Sequence, residues 1–382
     1  MSFKDKCRVG IVYRMDHPGG VQSVALALIR GLNQAGIKPD IIWDLPPNSE
    51  YLRRHKAEAG YYPIRFKIPT RRIDRLPASV RYLAHIFNCY NGSEIQSKFD
   101  FLYIFWNGFL INSELPHLRY LSGPPLLPQL IKNPAGVRGL PFRFFRWLYQ
   151  KYLFKSHPVY EYHQRDQYVI NSEYTAGLFK DAHQVQLPVV YPPITFSDAP
   201  LDWEDIGSRD SVTFFSRIVD YKRPDLMISV AERFPQWRCV VMGGVPDHRR
   251  GYFYYLKEIA ERHNLSNLEF IANPDNARVQ GELSRCRCYF FPAHNEHFGM
   301  TTVEAIAHGA LALVHNSGGQ REIVPLADLR FEDNEIFEKL DRILSMPNAE
   351  QNQLRLKLSR HIQQFGEAVS VGQLLSYLPP KG

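Results

Sequence analysis

Cys288-Tyr289-Phe290-Phe291-Pro292 leads into Asn295-Glu296-His297-Phe298-Gly299-Met300-Thr301-Thr302-Val303-Glu304, and Ala305-Ile306-Ala307-His308-Gly309 follows. The first run is short, apolar and aromatic, as a buried strand requires. The last run has helical spacing and stops at a glycine. Strand, loop and helix N-terminus therefore meet within this stretch. Gly299 lets backbone approach a ligand with no side chain in the way. The N–H groups of Met300, Thr301 and Thr302 would point out of the helix start, where phosphate binds well. Glu296 lies ahead of that anion site, and Glu304, eight positions later, lies on the helix behind it. Carboxylates accept hydrogen bonds, and sugars offer rows of hydroxyl donors. The layout suits hydroxyl, phosphate and hydroxyl along one ligand, as in a nucleotide sugar. Taken alone, two glutamates at this spacing better fit an ordinary helix start whose acid offsets the dipole.

The neighbouring sequence continues the alternation. Gly309-Ala310-Leu311-Ala312-Leu313-Val314 reads as the next buried strand, and Ser317-Gly318-Gly319-Gln320-Arg321-Glu322 as a glycine turn and a helix start. Upstream, strands are expected at 212–215, 238–242 and 268–272, with helices at 225–234, 252–263 and 279–286. The chain opens in the same manner. Val9–Tyr13 is a strand, Asp16-His17-Pro18-Gly19-Gly20 a loop, Val21–Ala35 a helix capped by Gly36, and Asp40–Trp43 a strand. A strand–helix–strand unit implies a parallel sheet. Further strands are expected at 101–106 and at 168–172, the latter ending at a helix start. Leu45–Ala78 is rich in proline and arginine and reads as an irregular insertion. Tyr191-Pro192-Pro193 and Ser197–Pro200 make a linker. The expectation is an α/β chain with two Rossmann-like doubly wound domains, at 1–198 and 199–366.

The Glu296–Glu304 spacing resembles the E-x7-E motif of retaining GT-B glycosyltransferases, specifically glycosyltransferase family 4. The segments 309–314 and 317–324 are similar to that family too. So is Ser216-Arg217-Ile218-Val219-Asp220-Tyr221-Lys222-Arg223-Pro224, which resembles its G-R-x4-K-G segment. The resemblance implies a GT-B fold, two Rossmann-like domains facing a central cleft, with a final helix at about 367–382 crossing back to the first domain. It implies that Arg217 and Lys222 contact the donor diphosphate, where fixed cations stabilise the charge on a leaving group. Glu296 would hold donor-sugar hydroxyls and Glu304 the ribose. Gly299, Met300 and Thr301 would hold phosphate, and the backbone at Ile271 and Asn273 would meet the base. The match departs from the family pattern at Ser216 and Arg223, where glycines are usual.

The first domain carries fewer signals. Gly19-Gly20 admits a phosphate to a helix N-terminus, or is a plain tight turn. Asp16 and His17 flank it as candidate acceptor contacts. Family members usually have a histidine near the reacting sugar after a first-domain strand. Here the matching position is Ser122, with His117 nearby but earlier.

Composition sets bounds. The chain has 382 residues and a formal net charge of +7. Residues 1–200 hold 25 basic and 15 acidic side chains, and the remainder 21 and 24, so the basic excess belongs to the first part. Segment 138–155 mixes Arg138, Arg143, Arg146, Lys151 and Lys155 with Phe, Trp and Tyr. It reads either as a helix on an anionic membrane or as a core helix with solvated cations. No nucleic-acid recognition motif accompanies it. The five scattered cysteines suit a reduced compartment, no Asp-x-Asp metal motif occurs, and no apolar run spans a bilayer. The N-terminus does not fit a signal peptide. These features favour a cytoplasmic protein, peripheral to the inner membrane face if 138–155 docks there. No bound cofactor or metal is expected, and a UDP- or GDP-sugar would be the donor substrate. The partners would be that donor and a saccharide or lipid-linked acceptor. Rival readings are a nucleotide-sugar epimerase of the same fold, a pyridoxal phosphate-dependent phosphorylase, and a non-catalytic sugar-nucleotide or membrane-surface binding protein.

Overall fold

The computed structural model describes residues 7–15, 19–66, 68–75, 90–91, 93–105, 111–112, 115–123, 167–196 and 207–379. The chain divides into two compact units, Met1–Pro193 with Glu367–Gly382, and Ile194–Gly366.

In the first unit the strands are β1 (Val9–Val12), β2 (Asp40–Trp43), β3 (Gly60–Pro63), β4 (Tyr90–Asn91), β5 (Phe101–Ile104), β6 (Ile111–Asn112), β7 (His117–Leu121) and β8 (Gln167–Ile170). Six of them form one parallel sheet in the order β3-β2-β1-β5-β7-β8, and β4 pairs with β6. The sheet order is third, second, first, fourth, fifth, sixth, which is the Rossmann order. β1, β5 and β7 are buried along their whole length. Parallel strands covered on both faces show continuous apolar runs, and Val9-Gly10-Ile11-Val12 and Phe101-Leu102-Tyr103-Ile104 do so.

The described residues of Leu45–Ala78, 45–66 and 68–75, hold more regular structure than the prolines and arginines suggest. They supply β3 and two short helices, Ser49–Arg54 and Thr70–Asp74. β3 lies at the sheet edge, with one paired side and half-buried tyrosines. An edge strand needs no continuous apolar run, and it tolerates a proline such as Pro63.

The Glu367–Leu375 helix packs on the Gly20–Gln34 helix of the first unit. Val371 sits where a side chain on Gly31 would stand. Arg30 Nε and Nη2 donate to the Glu367 carboxylate at 2.8 and 2.5 Å. Tyr103 donates its hydroxyl to Leu374 O at 3.0 Å.

The second unit repeats the plan. Its strands are β9 (Ser211–Phe215), β10 (Arg238–Gly243), β11 (Leu268–Ala272), β12 (Cys286–Phe291), β13 (Leu311–His315) and β14 (Arg330–Phe331). They run parallel in the order β11-β10-β9-β12-β13-β14, again the Rossmann order. Arg287 lies within the fully buried β12. Its guanidinium stacks over Trp237 at 5.4 Å and donates to Met346 O at 3.2 Å, so the charge is not stranded.

Among the described residues no helix is long and apolar enough to cross a membrane. Asp16, His17 and the segment 138–155 lie outside the described residues.

Candidate active site

In an open parallel sheet of this order, adjacent strands lead in opposite directions at one point. A ligand crevice opens there, beyond the carboxyl ends of the first and fourth strands. In the second unit these are β9 and β12. The loop after β9 carries Arg217 and Lys222, and the loop after β12 carries Glu296 and Gly299. Topology therefore brings together segments that lie about seventy positions apart in the chain.

The β9 loop ends in a short 3-10 turn, Asp220–Lys222. Arg223 closes it at φ 58° and ψ 42°. This left-handed conformation is the one a glycine adopts freely, and another residue there bears roughly 1 kcal/mol of strain. Arg223 offsets that through its side chain. Nη1 donates to Pro292 O at 3.2 Å and to Asp333 Oδ1 at 2.6 Å, tying the loop to the β12 and β14 ends. The departures at 216 and 223 thus leave the turn intact, and Ser216 N–H bonds Met242 O at 3.2 Å.

Lys222 is 8% exposed, and its ammonium is ion-paired with Glu296 Oε2. Nζ also lies 5.5 Å from the ring centroids of Tyr221 and Phe291. Burial, and then the like charge of Arg217, pushes the ammonium down to about 7. Arg217 is exposed, with its guanidinium 6.0 Å from the Tyr221 ring centroid.

Three contacts fix the Glu296 loop. Phe298 is 2% exposed and meets Phe365 edge-on. Asn295 N–H donates to Ser317 Oγ at 2.9 Å. Gly319 N–H donates to Glu296 O at 2.7 Å. Gly318, at φ 69°, lies so close that an added Cβ would stand 2.7 Å from Glu296 N. The Gly318-Gly319 pair is therefore more than a turn, because it lets two backbones touch beneath Glu296.

Gly299 caps the Met300–Ala307 helix at φ 112°, and a Cβ there would meet Gln320 Nε2 at 2.5 Å. Thr302 N–H does not point outward as the sequence suggested. It donates to Gly299 O at 2.9 Å, because the first turn is wound tightly. The amides of Met300 and Thr301 remain as the outward pair. Thr302 Oγ1 donates to Gln320 Oε1 at 2.8 Å, and the Tyr289 hydroxyl bridges Phe215 O at 3.0 Å and Thr301 Oγ1 at 2.8 Å. Gln320, Thr302 and Tyr289 are supports that sequence reading missed. The sequence carried no signal for them, because the packing of Gln320 against Gly299 shows only in the structure.

Glu304 is half-buried one turn into this helix. Among the described residues no side-chain partner holds its carboxylate. Burial alone pushes the carboxyl up to about 7. Burial and then Lys222 hold the His297 imidazolium below its ordinary range.

Ile271 and Asn273 lie on the same sheet edge but two strands from β9, at and beyond the end of β11. Asn273 sits at φ 51°. Its N–H donates to Gly243 O at 2.8 Å and its Oδ1 accepts from Val245 N–H at 2.9 Å, so its side chain is engaged in the turn.

In the first unit, Gly19 precedes the Gly20–Gln34 helix beyond the carboxyl end of β1. Its φ of −178° is open to any residue, and among the described residues a Cβ would meet Gln22 Oε1 at 3.7 Å. The helix has no side-chain cap and no acid in its first turn. His117 begins β7, at the opposite sheet edge, whereas Ser122 follows the carboxyl end of that strand. Ser122 O accepts from Asn171 Nδ2 at 2.9 Å.

Comparison with known proteins bears on the family and the fold. The family model for glycosyl transferases group 1 matches residues 205–362. The chain is 24% identical over 235 residues to a GDP-Man:Man(3)GlcNAc(2)-PP-Dol alpha-1,2-mannosyltransferase of Dictyostelium discoideum, covering 56% of this chain and 46% of that one. It is 30% identical over 196 residues to the alpha-1,3/1,6-mannosyltransferase alg2 of Schizosaccharomyces pombe, covering 42% and 38%. It thus spans less than half the length of each of these two relatives. The crystal structure of Anabaena Alr3699/HepE in complex with UDP and glucose superposes with a TM-score of 0.65 at 15% identity, covering 98% of this chain and 99% of that one. The chain has the two-sheet fold of the GT-B glycosyltransferases, and its residues 205–362 match the model of the glycosyl transferases group 1 family.

Proposed function

We propose that this protein is a retaining glycosyltransferase that moves a hexose from a nucleoside diphosphate sugar to a saccharide or lipid-linked acceptor. The observation that carries the reading is the Lys222–Glu296 ion pair at the switch point, together with a half-buried Glu304 that has no side-chain partner among the described residues. Without a ligand the two charges satisfy each other. A diphosphate draws the ammonium away and leaves Glu296 free to accept from sugar hydroxyls. Arg217 and the Met300 and Thr301 amides complete the anion site. Glu304 accepts from the ribose, and the exposed backbone around Ile271 and Asn273 meets the base.

In the reaction the acceptor oxygen bonds to the anomeric carbon as the bond from that carbon to the diphosphate oxygen breaks. The acceptor proton passes to the leaving phosphate oxygen, so no separate side-chain base is required. Lys222 and Arg217 stabilise the charge that develops on the diphosphate.

The second unit binds the donor, and the first takes the acceptor, with Gly19, Gly20 and Ser122 at its carboxyl edge. GDP-mannose is the donor to test first, because the two relatives above are named for mannosyl transfer. The dolichol diphosphate in one of those names, together with the basic aromatic segment 138–155, supports a lipid-linked acceptor at an anionic membrane surface.

The test is a thermal-shift series with GDP, UDP, ADP and their sugars, on wild type and Glu304→Ala. A ligand that binds the native state raises its melting point by mass action. One nucleotide should stabilise wild type, and the variant should lose that shift. No shift with any of them at millimolar concentration rejects the donor site.

A further inference from the structure

A second cluster lies on the same edge of the second sheet. The adjacent strands β12, β13 and β14 all end there. His294 follows β12, His315 is the last residue of β13, and Asp333 lies just past β14. Asp333 Oδ1 is 3.2 Å from His294 Nε2 and 3.7 Å from His315 Nε2. The three ligand-type atoms all lie within 4.8 Å of one another.

Protons alone serve this cluster poorly. Arg223 Nη1 lies against His294 Nε2 as well as Asp333 Oδ1. A guanidinium offers only donors. If His294 Nε2 accepts from Arg223, its lone pair also faces the Asp333 carboxylate. If it carries a proton for Asp333, two N–H groups meet. His315 shows the complementary feature. Its Nδ1 lies 2.8 Å from Ser317 Oγ, which also accepts the Asn295 N–H. A hydroxyl can accept both bonds, and that tautomer leaves the Nε2 lone pair on the side of Asp333.

We propose that His294 Nε2, His315 Nε2 and Asp333 Oδ1 bind a divalent first-row transition-metal ion, with zinc as the representative. Zinc held tetrahedrally at about 2.0–2.1 Å places its ligand atoms roughly 3.3 Å apart. The observed 3.2 and 3.7 Å lie on either side of that value. Two imidazoles and a carboxylate suit zinc and its neighbours rather than magnesium or calcium, which favour oxygen alone. His294 and Asp333 are 43% and 49% exposed, which opens a path for the ion, while His315 at 9% is a fixed post. Glu332 Oε2, 4.0 Å from His315 Nε2, is within reach of a fourth position. Arg223 is the competitor and must withdraw when the metal enters. The ion would then fasten the loop two residues ahead of Glu296 and free the residue next to Lys222. It would set the posture of those two side chains without touching a donor.

The test is calorimetric titration of the chelator-treated full chain with Zn2+, which requires no knowledge of donor or acceptor. One ion per chain should bind. His294→Ala and Asp333→Asn should each weaken it about 10- to 100-fold, and His263→Ala, on a distant exposed imidazole, should leave it unchanged. Arg223→Met should tighten binding, because a competing cation has gone. The proposal is overturned if no ion binds, if affinity stays within twofold in both ligand variants, or if Arg223→Met weakens it.

Discussion

Glu304→Gln should stabilise the protein while impairing donor binding. The carboxyl is lifted from 4.5 to about 7 by burial alone. At pH 8 the folded chain carries this charge in a site that disfavours it, whereas the unfolded chain carries it in water. The difference of about 2.5 pH units corresponds to about 3 kcal/mol. Solvent reaching a half-buried carboxylate reduces this to about 1–2 kcal/mol. A group whose folded pKa is raised contributes stability below its unfolded value and loses it as pH rises through the folded value. The penalty is therefore absent near pH 4.5 and fully present above pH 7. Glutamine is nearly isosteric with the protonated acid and carries no charge. For a unit this size, 1 kcal/mol moves the melting point by about 2–4 °C. The variant should melt roughly 2–8 °C higher than wild type at pH 8, and within about a degree of it near pH 4. Scanning calorimetry at the two pH values measures this. Donor affinity should fall about 5- to 30-fold, as one charge-assisted hydrogen bond becomes a neutral one. An equal melting difference at both pH values, or a variant that melts lower at pH 8, would refute the idea that burial of an unpartnered charge sets the state of Glu304.

Three further outcomes follow from the same geometry. Lys222→Met removes the ammonium from a mostly buried carboxylate and from the diphosphate site, so calorimetry should show nucleoside diphosphate affinity falling about 10- to 100-fold. Donor affinity should peak near pH 7 in a pH series by the same method. The Glu304 carboxylate exists above its pKa and the Lys222 ammonium below its own, so each limb should steepen toward about tenfold per pH unit. Gly318→Ala forces a side chain into the backbone of Glu296 at a positive φ; chemical denaturation should show a loss of about 2–4 kcal/mol, and a loss below 0.5 kcal/mol would contradict the close approach.

The fold was legible because parallel strands buried on both faces show as apolar runs. Val9–Val12 and Cys288–Phe291 could be read that way, and alternation with helices gave the parallel sheets. β3 was not legible, since an edge strand can be polar and end in proline. Within the site, Glu296, Arg217 and Lys222 could be named because the short segments 295–304 and 216–224 resemble motifs of a known family. The conformation of Arg223 was hidden, because only tertiary contacts to Pro292 and Asp333 hold an arginine in a left-handed turn. His294, His315 and Asp333 were invisible as a group, for they come from three strands and share no local spacing. Thr302 was misplaced because a tight first turn uses an amide that ideal helix geometry leaves open.

The helix Glu367–Leu375 belongs to the unit formed by residues 1–193, although the whole of Ile194–Gly366 is interposed in sequence. During synthesis the second unit is a continuous stretch, and it can fold as soon as residue 366 has left the ribosome. The first unit must wait. Until the last helix emerges, the groove that takes Val371 stays open and Arg30 lacks Glu367. A nascent chain stalled near residue 366 would therefore carry a finished second unit and a first unit still missing one wall, and it is this earlier half that a chaperone would have to guard.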